Sequence, residues 1–176
     1  IIGAMVETDD YLYIATEGSG LLEMDKKTEG YKIYRLYDDK DGAYARNILK
    51  SLYLDGDKIL CGTNAGTVYD FDLKTRQFSL FHDFKSQNGI YYIGRNRQGD
   101  IVAGGVNQIG LAFLSEGKVK DTFPLKGGKQ ISFPNIRCVL EIAKNVYLIG
   151  SRNDGLYYYD MNTGDLKQFT ASSSAV

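Results

Sequence analysis

The residues that could do chemistry are few. The single histidine, His82, lies between Phe81 and Asp83. A zinc site needs further His or Cys beside it, and a Ser/His/Asp relay needs a nucleophile on a tight turn. The sequence around His82 supplies neither, so it reads as a surface histidine at a strand end. Asp38, Asp39 and Asp41 with Gly42 suggest a calcium loop. That register puts Tyr37 and Ile48 at the first and last ligand positions, where carboxylates are required. The segment reads instead as a solvated turn. Gly18-Ser19-Gly20 and Lys126-Gly127-Gly128-Lys129 lack the spacing and the following helix of a phosphate loop. No catalytic residue, metal or cofactor is expected.

Two further sets remain. Asp25, Asp72 and Asp160 could supply a carboxylate pair for glycoside hydrolysis. They recur at one repeating position, each three residues before Thr28, Thr75 or Thr163, which fits a turn role better. Tyr157-Tyr158-Tyr159 and Tyr91-Tyr92 could stack on sugar rings. Strand alternation sends only every second one to a given face, and tyrosine commonly packs between sheets, so packing is the better reading.

The elements that must position these residues follow from a repeat. Leu12-Tyr13-Ile14-Ala15-Thr16, Ile59-Leu60-Cys61-Gly62-Thr63, Ile101-Val102-Ala103-Gly104-Gly105 and Leu148-Ile149-Gly150-Ser151 are copies of one run. The anchors Thr16, Thr63, Gly105 and Ser151 recur about every 45 residues, which accounts for the chain. The third copy has drifted: Leu114 stands where the others have aspartate. Within each copy, β-branched and aromatic runs of four to eight residues end at turn signals such as Asp55-Gly56, Gln98-Gly99 and Thr163-Gly164. In the last copy the runs are 136–142, 146–151, 155–160 and 165–170. A helical reading of Ile48, Leu49, Leu52 and Tyr53 is rejected, because the offset copy at 136–142 reads as strand. Gly20, Gly66, Gly110 and Gly155 open the third run, where a turn needs positive φ.

Four antiparallel strands in each of four repeats of about 45 residues predict an all-β fold of β-propeller blades. The blades run over 1–44, 45–86, 87–132 and 133–176, as a single segment. An open arc of four would expose sheet faces at both ends. The chain is therefore expected to be part of a larger ring of about seven blades, or to pair with a second copy.

Composition narrows the function classes. Among 176 residues there are 21 Lys plus Arg against 22 Asp plus Glu, a formal net charge of -1. Nucleic acid and anionic membranes need clustered positive charge, so neither is an expected partner. At 43% hydrophobic the chain can bury a core. Cys61 and Cys138, both in apolar runs, are too few for a disulfide framework and are expected to be buried. No apolar run approaches the length of a membrane span and no signal peptide is visible. The chain opens on Ile1, and reads as an excised segment.

The repeat resembles that of the two-component regulator propeller family. The likeness rests on Asn135-Ile136, Leu148-Ile149-Gly150-Ser151, Gly155-Leu156 and Tyr159-Asp160-Met161-Asn162-Thr163-Gly164, with counterparts Asn47-Ile48, Cys61-Gly62-Thr63 and Phe71-Asp72-Leu73-Lys74-Thr75. The first copy adds Gly20-Leu21 and Met24-Asp25-Lys26-Lys27-Thr28. Where the family usually has Trp, this chain has Tyr13, Leu60, Val102 and Leu148. The resemblance implies the periplasmic sensor of a membrane-anchored bacterial hybrid histidine kinase. It also implies a non-enzymatic role in signal transduction and carbohydrate sensing, with an oligosaccharide as ligand.

Topology gives the candidate site. In a four-stranded blade the loops between second and third strands share a rim with the interblade loops. That rim carries Glu17, Ser19, Asn64, Asn107, Gln108, Arg152, Asn153 and Asp154, and the interblade residues Tyr44, Arg46, Asn47, Asn135 and Arg137. Varied polar residues at repeating positions of a rigid scaffold suit hydrogen bonding to a polyol. Two other readings stand beside the sensor: a structural or protein-interaction propeller, and a propeller-type glycan lyase or hydrolase fragment. The expected partners are an oligosaccharide and either a second copy or the remaining blades of a longer chain.

Overall fold

The computed structural model describes residues 1–37, 47–123 and 135–170, and the side chains of all of these except Gln108 and Phe123. Asp38 to Arg46 and the lysine-glycine run at 126–129 lie outside the described residues. Strands β1 (Ile2–Glu7), β2 (Tyr11–Thr16), β3 (Gly20–Asp25) and β4 (Tyr31–Tyr34) form one sheet in chain order. A second sheet holds β5 (Leu49–Asp55), β6 (Lys58–Thr63), β7 (Thr67–Asp72) and β8 (Phe78–Asp83). A third holds β9 (Ile90–Arg95), β10 (Ile101–Gly105), β11 (Leu111–Ser115) and β12 (Lys118–Phe123). The fourth holds β13 (Ile136–Ala143), β14 (Val146–Ser151), β15 (Leu156–Asp160) and β16 (Asp165–Phe169). Each is an antiparallel propeller blade, as the repeat predicted. The last blade departs from the expected strand limits by one residue at three ends.

The recurring residues close turns. Asp25 Oδ1 accepts the Lys27 and Thr28 N–H groups at 2.8 Å each, and Asp72 Oδ1 accepts Lys74 and Thr75 N–H at 2.9 and 2.7 Å. Asp160 Oδ1 takes Asn162 N–H at 2.8 Å. The fifth residue then turns left-handed: Glu29 at φ 59, Arg76 at φ 58, Gly164 at φ 82. The third blade has lost the aspartate and uses a two-residue turn, Glu116-Gly117, with both residues at positive φ.

The threonine anchor closes the preceding hairpin, at the other end of the shared third strand. Thr16 Oγ1 donates to the Gly20 carbonyl at 2.7 Å and Ser151 Oγ to that of Gly155 at 3.1 Å, while Thr63 Oγ1 meets Thr67 Oγ1 at 2.7 Å. Gly105 has no hydroxyl, and there a 3₁₀ turn at Asn107–Ile109 takes over.

Thr75 N–H, the first cause, and the Thr75 hydroxyl hold the Asp72 carboxyl below its ordinary 3.8. A carboxyl lowered in the folded state contributes stability above the unfolded value, which is lost as pH falls through the folded one. Carboxyl NMR titration is expected to place Asp25 and Asp72 below 3.8. In Asp72→Ala the acid limb of the stability curve becomes shallower. A midpoint at or above 3.8 contradicts the turn role.

The chain divides into two compact units between Ile93 and Gly94. In the first, Tyr13, Ala15, Leu21, Leu49, Leu52, Ile59, Cys61 and Phe71 form the core between the first two sheets. The Phe71 ring lies 4.9 Å from those of Tyr34 and Phe78, centroid to centroid. Glu23 is also buried there. Its carboxylate pairs with Arg76 Nε at 2.7 Å and accepts the hydroxyls of Tyr13 at 2.8 Å and Tyr34 at 3.2 Å. Burial, then the bond to Glu23, pushes the Tyr13 phenol well above its ordinary value. The Arg76 guanidinium stands 5.2 Å from the Tyr11 ring centroid. This clamp ties the first blade to the second. In the second unit Phe113 packs on Tyr147 at 5.4 Å, and Val102, Ala103, Ile149, Tyr157 and Tyr159 are buried.

One expectation is corrected. Cys61 is buried, but Cys138 is exposed. Its strand sends Cys138, Leu140 and Ile142 to the same exposed face, so an apolar run did not mean burial on both sides.

Candidate functional site

In the first unit the segment before β5 gathers the predicted rim. Glu17 bridges Ile48, Gly20 N–H donates to the Asn47 carbonyl at 3.1 Å, and Asn64 N–H donates to that of Ile48 at 2.9 Å. Asn47 is buried and its amide serves the backbone. Its Oδ1 accepts Leu36 and Tyr37 N–H at 2.8 and 3.2 Å, and its Nδ2 donates to the Tyr37 carbonyl at 2.9 Å. Ser19 is exposed, Glu17 and Asn64 half-buried. Arg46 and Tyr44 lie outside the described residues.

Each first strand with a described register carries a bulge at the same place. The extra residue is Gly3 between Ile2 and Ala4, Lys50 between Leu49 and Ser51, and Arg137 between Ile136 and Cys138. A bulge re-aims one side chain out of the alternation. Lys50 Nζ thereby reaches Glu17 Oε1 at 2.5 Å and stands 5.6 Å from the Tyr91 ring centroid. The Lys50 hydrogen bond holds the Glu17 carboxyl below its ordinary value. Lys50 was not foreseen. The signal was present in the broken alternation of Leu49-Lys50-Ser51-Leu52.

Beside this cluster, on the same rim, lies a cleft of about 360 Å³ lined by Tyr37, Thr67, Asp83, Lys85, Ser86 and Gln87, with Ala65. The Tyr37 and Tyr69 hydroxyls meet at 2.6 Å, and Tyr69 is pushed well above its ordinary value by burial and then by that bond. Lys85 Nζ pairs with Asp83 Oδ2 at 2.6 Å and holds that carboxyl below its ordinary value. Hydroxyl, carboxylate, ammonium and an aromatic ring together suit a hydroxylated ligand. None of these lining residues is among the rim residues predicted from the sequence. Tyr37 follows β4, Ala65 lies between β6 and β7, Thr67 opens β7, Asp83 ends β8, and Lys85, Ser86 and Gln87 lie between β8 and β9. The predicted interblade residues lie only before β5 and around the start of β13. His82, one residue before Asp83, packs edge-on against Phe84 at 4.4 Å.

In the second unit Arg152 N–H donates to the Asn135 carbonyl at 2.9 Å, which joins those two predicted residues. Asp154 N–H is held by Ser151 Oγ at 2.8 Å, and its carbonyl accepts Gln168 Nε2 at 2.9 Å. Arg152, Asn153 and Asn107 are exposed, and Asn107 is left-handed at φ 52. Gln108 has only its backbone described, within the 3₁₀ turn.

No protein-family profile matches the chain. No curated protein sequence matches it either. Solved structures do. The extracellular domain of the hybrid two-component system BT4673 from B. thetaiotaomicron superposes with a TM-score of 0.69 at 25% identity, over 95% of this chain and 22% of that one. That of BT3049, from the same organism, gives 0.71 at 19% identity, over 94% and 23%. Virginiamycin B lyase from Staphylococcus aureus gives 0.71 at 14% identity, over 98% and 56%, a likeness of fold alone. The chain thus spans between a fifth and a quarter of the length of the two extracellular domains. It is a four-blade β-propeller segment similar to the extracellular domains of B. thetaiotaomicron hybrid two-component systems.

Proposed function

We propose that the chain is part of the periplasmic sensor of a membrane-anchored two-component signalling protein, and that it binds an oligosaccharide at the first-unit rim without turning it over. The observation that carries this is the 25% identity with a two-component extracellular domain over 95% of the chain. The polar cleft at Tyr37, Thr67, Asp83 and Lys85 supports the ligand class. The first blade also presents an exposed apolar ladder that includes Met5, Tyr31 and Ile33. Another sheet, from further blades of a longer chain or from a second copy, covers it.

The test is isothermal titration with neutral and acidic oligosaccharides of three to six units, with product analysis of each mixture. A ligand should be bound intact, and Lys85→Ala should weaken it about tenfold, the worth of one hydrogen bond to a charged group. Cleavage of the ligand would move the reading to the glycan lyase or hydrolase class. Unchanged affinity in Lys85→Ala would remove the cleft from the site.

A further inference from the structure

The second unit carries another cleft, at the end of the sheets opposite its loops between second and third strands. It measures about 310 Å³ and is lined by Asn96, Gln98, Asp100, Phe113, Asp121 and Asn145, with Lys120 and Met161. It is built from amides set in fixed orientations. Asn96 is 8% exposed, and its Oδ1 closes the turn between β9 and β10 by accepting Gln98 and Asp100 N–H at 3.1 and 2.8 Å. Its Nδ2 reaches the Tyr147 hydroxyl at 3.4 Å. Gln98 Nε2 donates to Asn145 Oδ1 at 2.7 Å, and Asn145 Nδ2 donates to Asn162 Oδ1 at 3.0 Å. Asn162 Nδ2 then donates to the Lys144 carbonyl at 3.1 Å, so the amide chain runs one way. Glu141 fixes its position by accepting Arg97 N–H at 2.6 Å and Asn145 N–H at 3.0 Å.

Each amide nitrogen has two hydrogens and each amide oxygen two lone pairs, and each bond in this chain uses one. A ligand that both donates and accepts at closely spaced points matches what is left. Charge excludes an anion. Lys120 Nζ is already paired with Asp100 Oδ2 at 3.0 Å, and Asp121 adds a second carboxylate. Among the described residues no three His, Cys, Asp or Glu side chains group to hold a metal ion. Phe113, held against Tyr147, gives the cleft an apolar ring. We propose that this amide-lined cleft is a subsite for one pyranose unit of an uncharged oligosaccharide. Vicinal hydroxyls would bridge the Gln98 and Asn145 amides and the Asp121 carboxylate. The site is separate from the Tyr37 cleft and does not depend on it.

The experiment uses the ¹⁵N-labelled chain and reads the side-chain amide signals of Gln98 and Asn145. The neutral probes are cellohexaose, xylohexaose and mannohexaose; the acidic probe is trigalacturonate. At least one neutral probe should shift both amides in a saturable way, and the acidic probe should leave them in place. Gln98→Ala removes an exposed side chain and should keep the thermal midpoint while weakening the neutral probe at least tenfold. Three neutral probes that move neither amide overturn the proposal. So does equal binding of the acidic probe, or full affinity in a folded Gln98→Ala variant. The readout sits on residues outside the first cleft, so failure here and failure at Lys85 are told apart.

Discussion

Replacing Arg76 by Ala is expected to destabilise the protein by about 3 kcal/mol, because it leaves a buried carboxylate without its cation. Glu23 is 5% exposed, and Arg76 is its cationic partner at 2.7 Å. The hydroxyls of Tyr13 and Tyr34 would still donate to the carboxylate, which keeps the loss at the lower end of the range for breaking such a pair. Arg76 also carries a left-handed backbone at φ 58, a conformation that non-glycine residues adopt at a cost. Arg76→Gly removes that strain along with the guanidinium. It should therefore be more stable than Arg76→Ala by about 1 kcal/mol, and still less stable than the native chain. Denaturant unfolding of the three proteins measures both differences. A loss under 1 kcal/mol in Arg76→Ala would show that the clamp contributes little. The reverse order of the two variants would show that φ at this turn is not the constraint it is taken to be.

Gly66→Ala is expected to cost at least about 3 kcal/mol, from positive-φ strain and a backbone collision together. At φ 73 the residue sits where side chains are rarely tolerated, and an added Cβ would come 2.4 Å from the Ser86 carbonyl oxygen. That atom belongs to the backbone and cannot swing aside. Phe84 N–H also donates to the Gly66 carbonyl at 3.0 Å, so a shift of the turn disturbs the wall of the Tyr37 cleft. Gly56→Ala is the matching control. Its φ is 63, but nothing lies within 4 Å of the added Cβ, so about 1 kcal/mol is expected from conformation alone. Faster amide exchange at Phe84 in Gly66→Ala, and not in Gly56→Ala, would localise the effect. Equal losses in the two variants would rule out the collision.

The residues differ in how plainly they announced themselves. Asp25, Asp72 and Asp160 were legible as turn residues because the short aspartate side chain can bond N–H groups two or three positions on through local geometry alone. The Thr16, Thr63 and Ser151 anchors were legible as a repeat, although their bonding across the hairpin was not. Arg76 was silent. It stands where the sister repeats have Glu29 and Gly164, and only the neighbouring sheet makes its charge matter. Lys50 sits in a broken alternation, but only the fold shows that a bulge there turns it toward Glu17. Cys138 was misplaced because alternation gives the two faces of a strand but not which of them is covered.

The sequence by itself determined the strand count per repeat, the turn chemistry and the blade. Each blade solves the same local problem of strand length, alternation and left-handed turn, and a solution repeated four times is visible as spacing. Tertiary structure decided the Glu23–Arg76 clamp, the Lys50–Glu17 pair and both clefts. These join residues from different sheets or from distant turns of one sheet, and one extra residue in a strand re-aims a side chain. No pattern confined to one repeat encodes which residue of another it will meet.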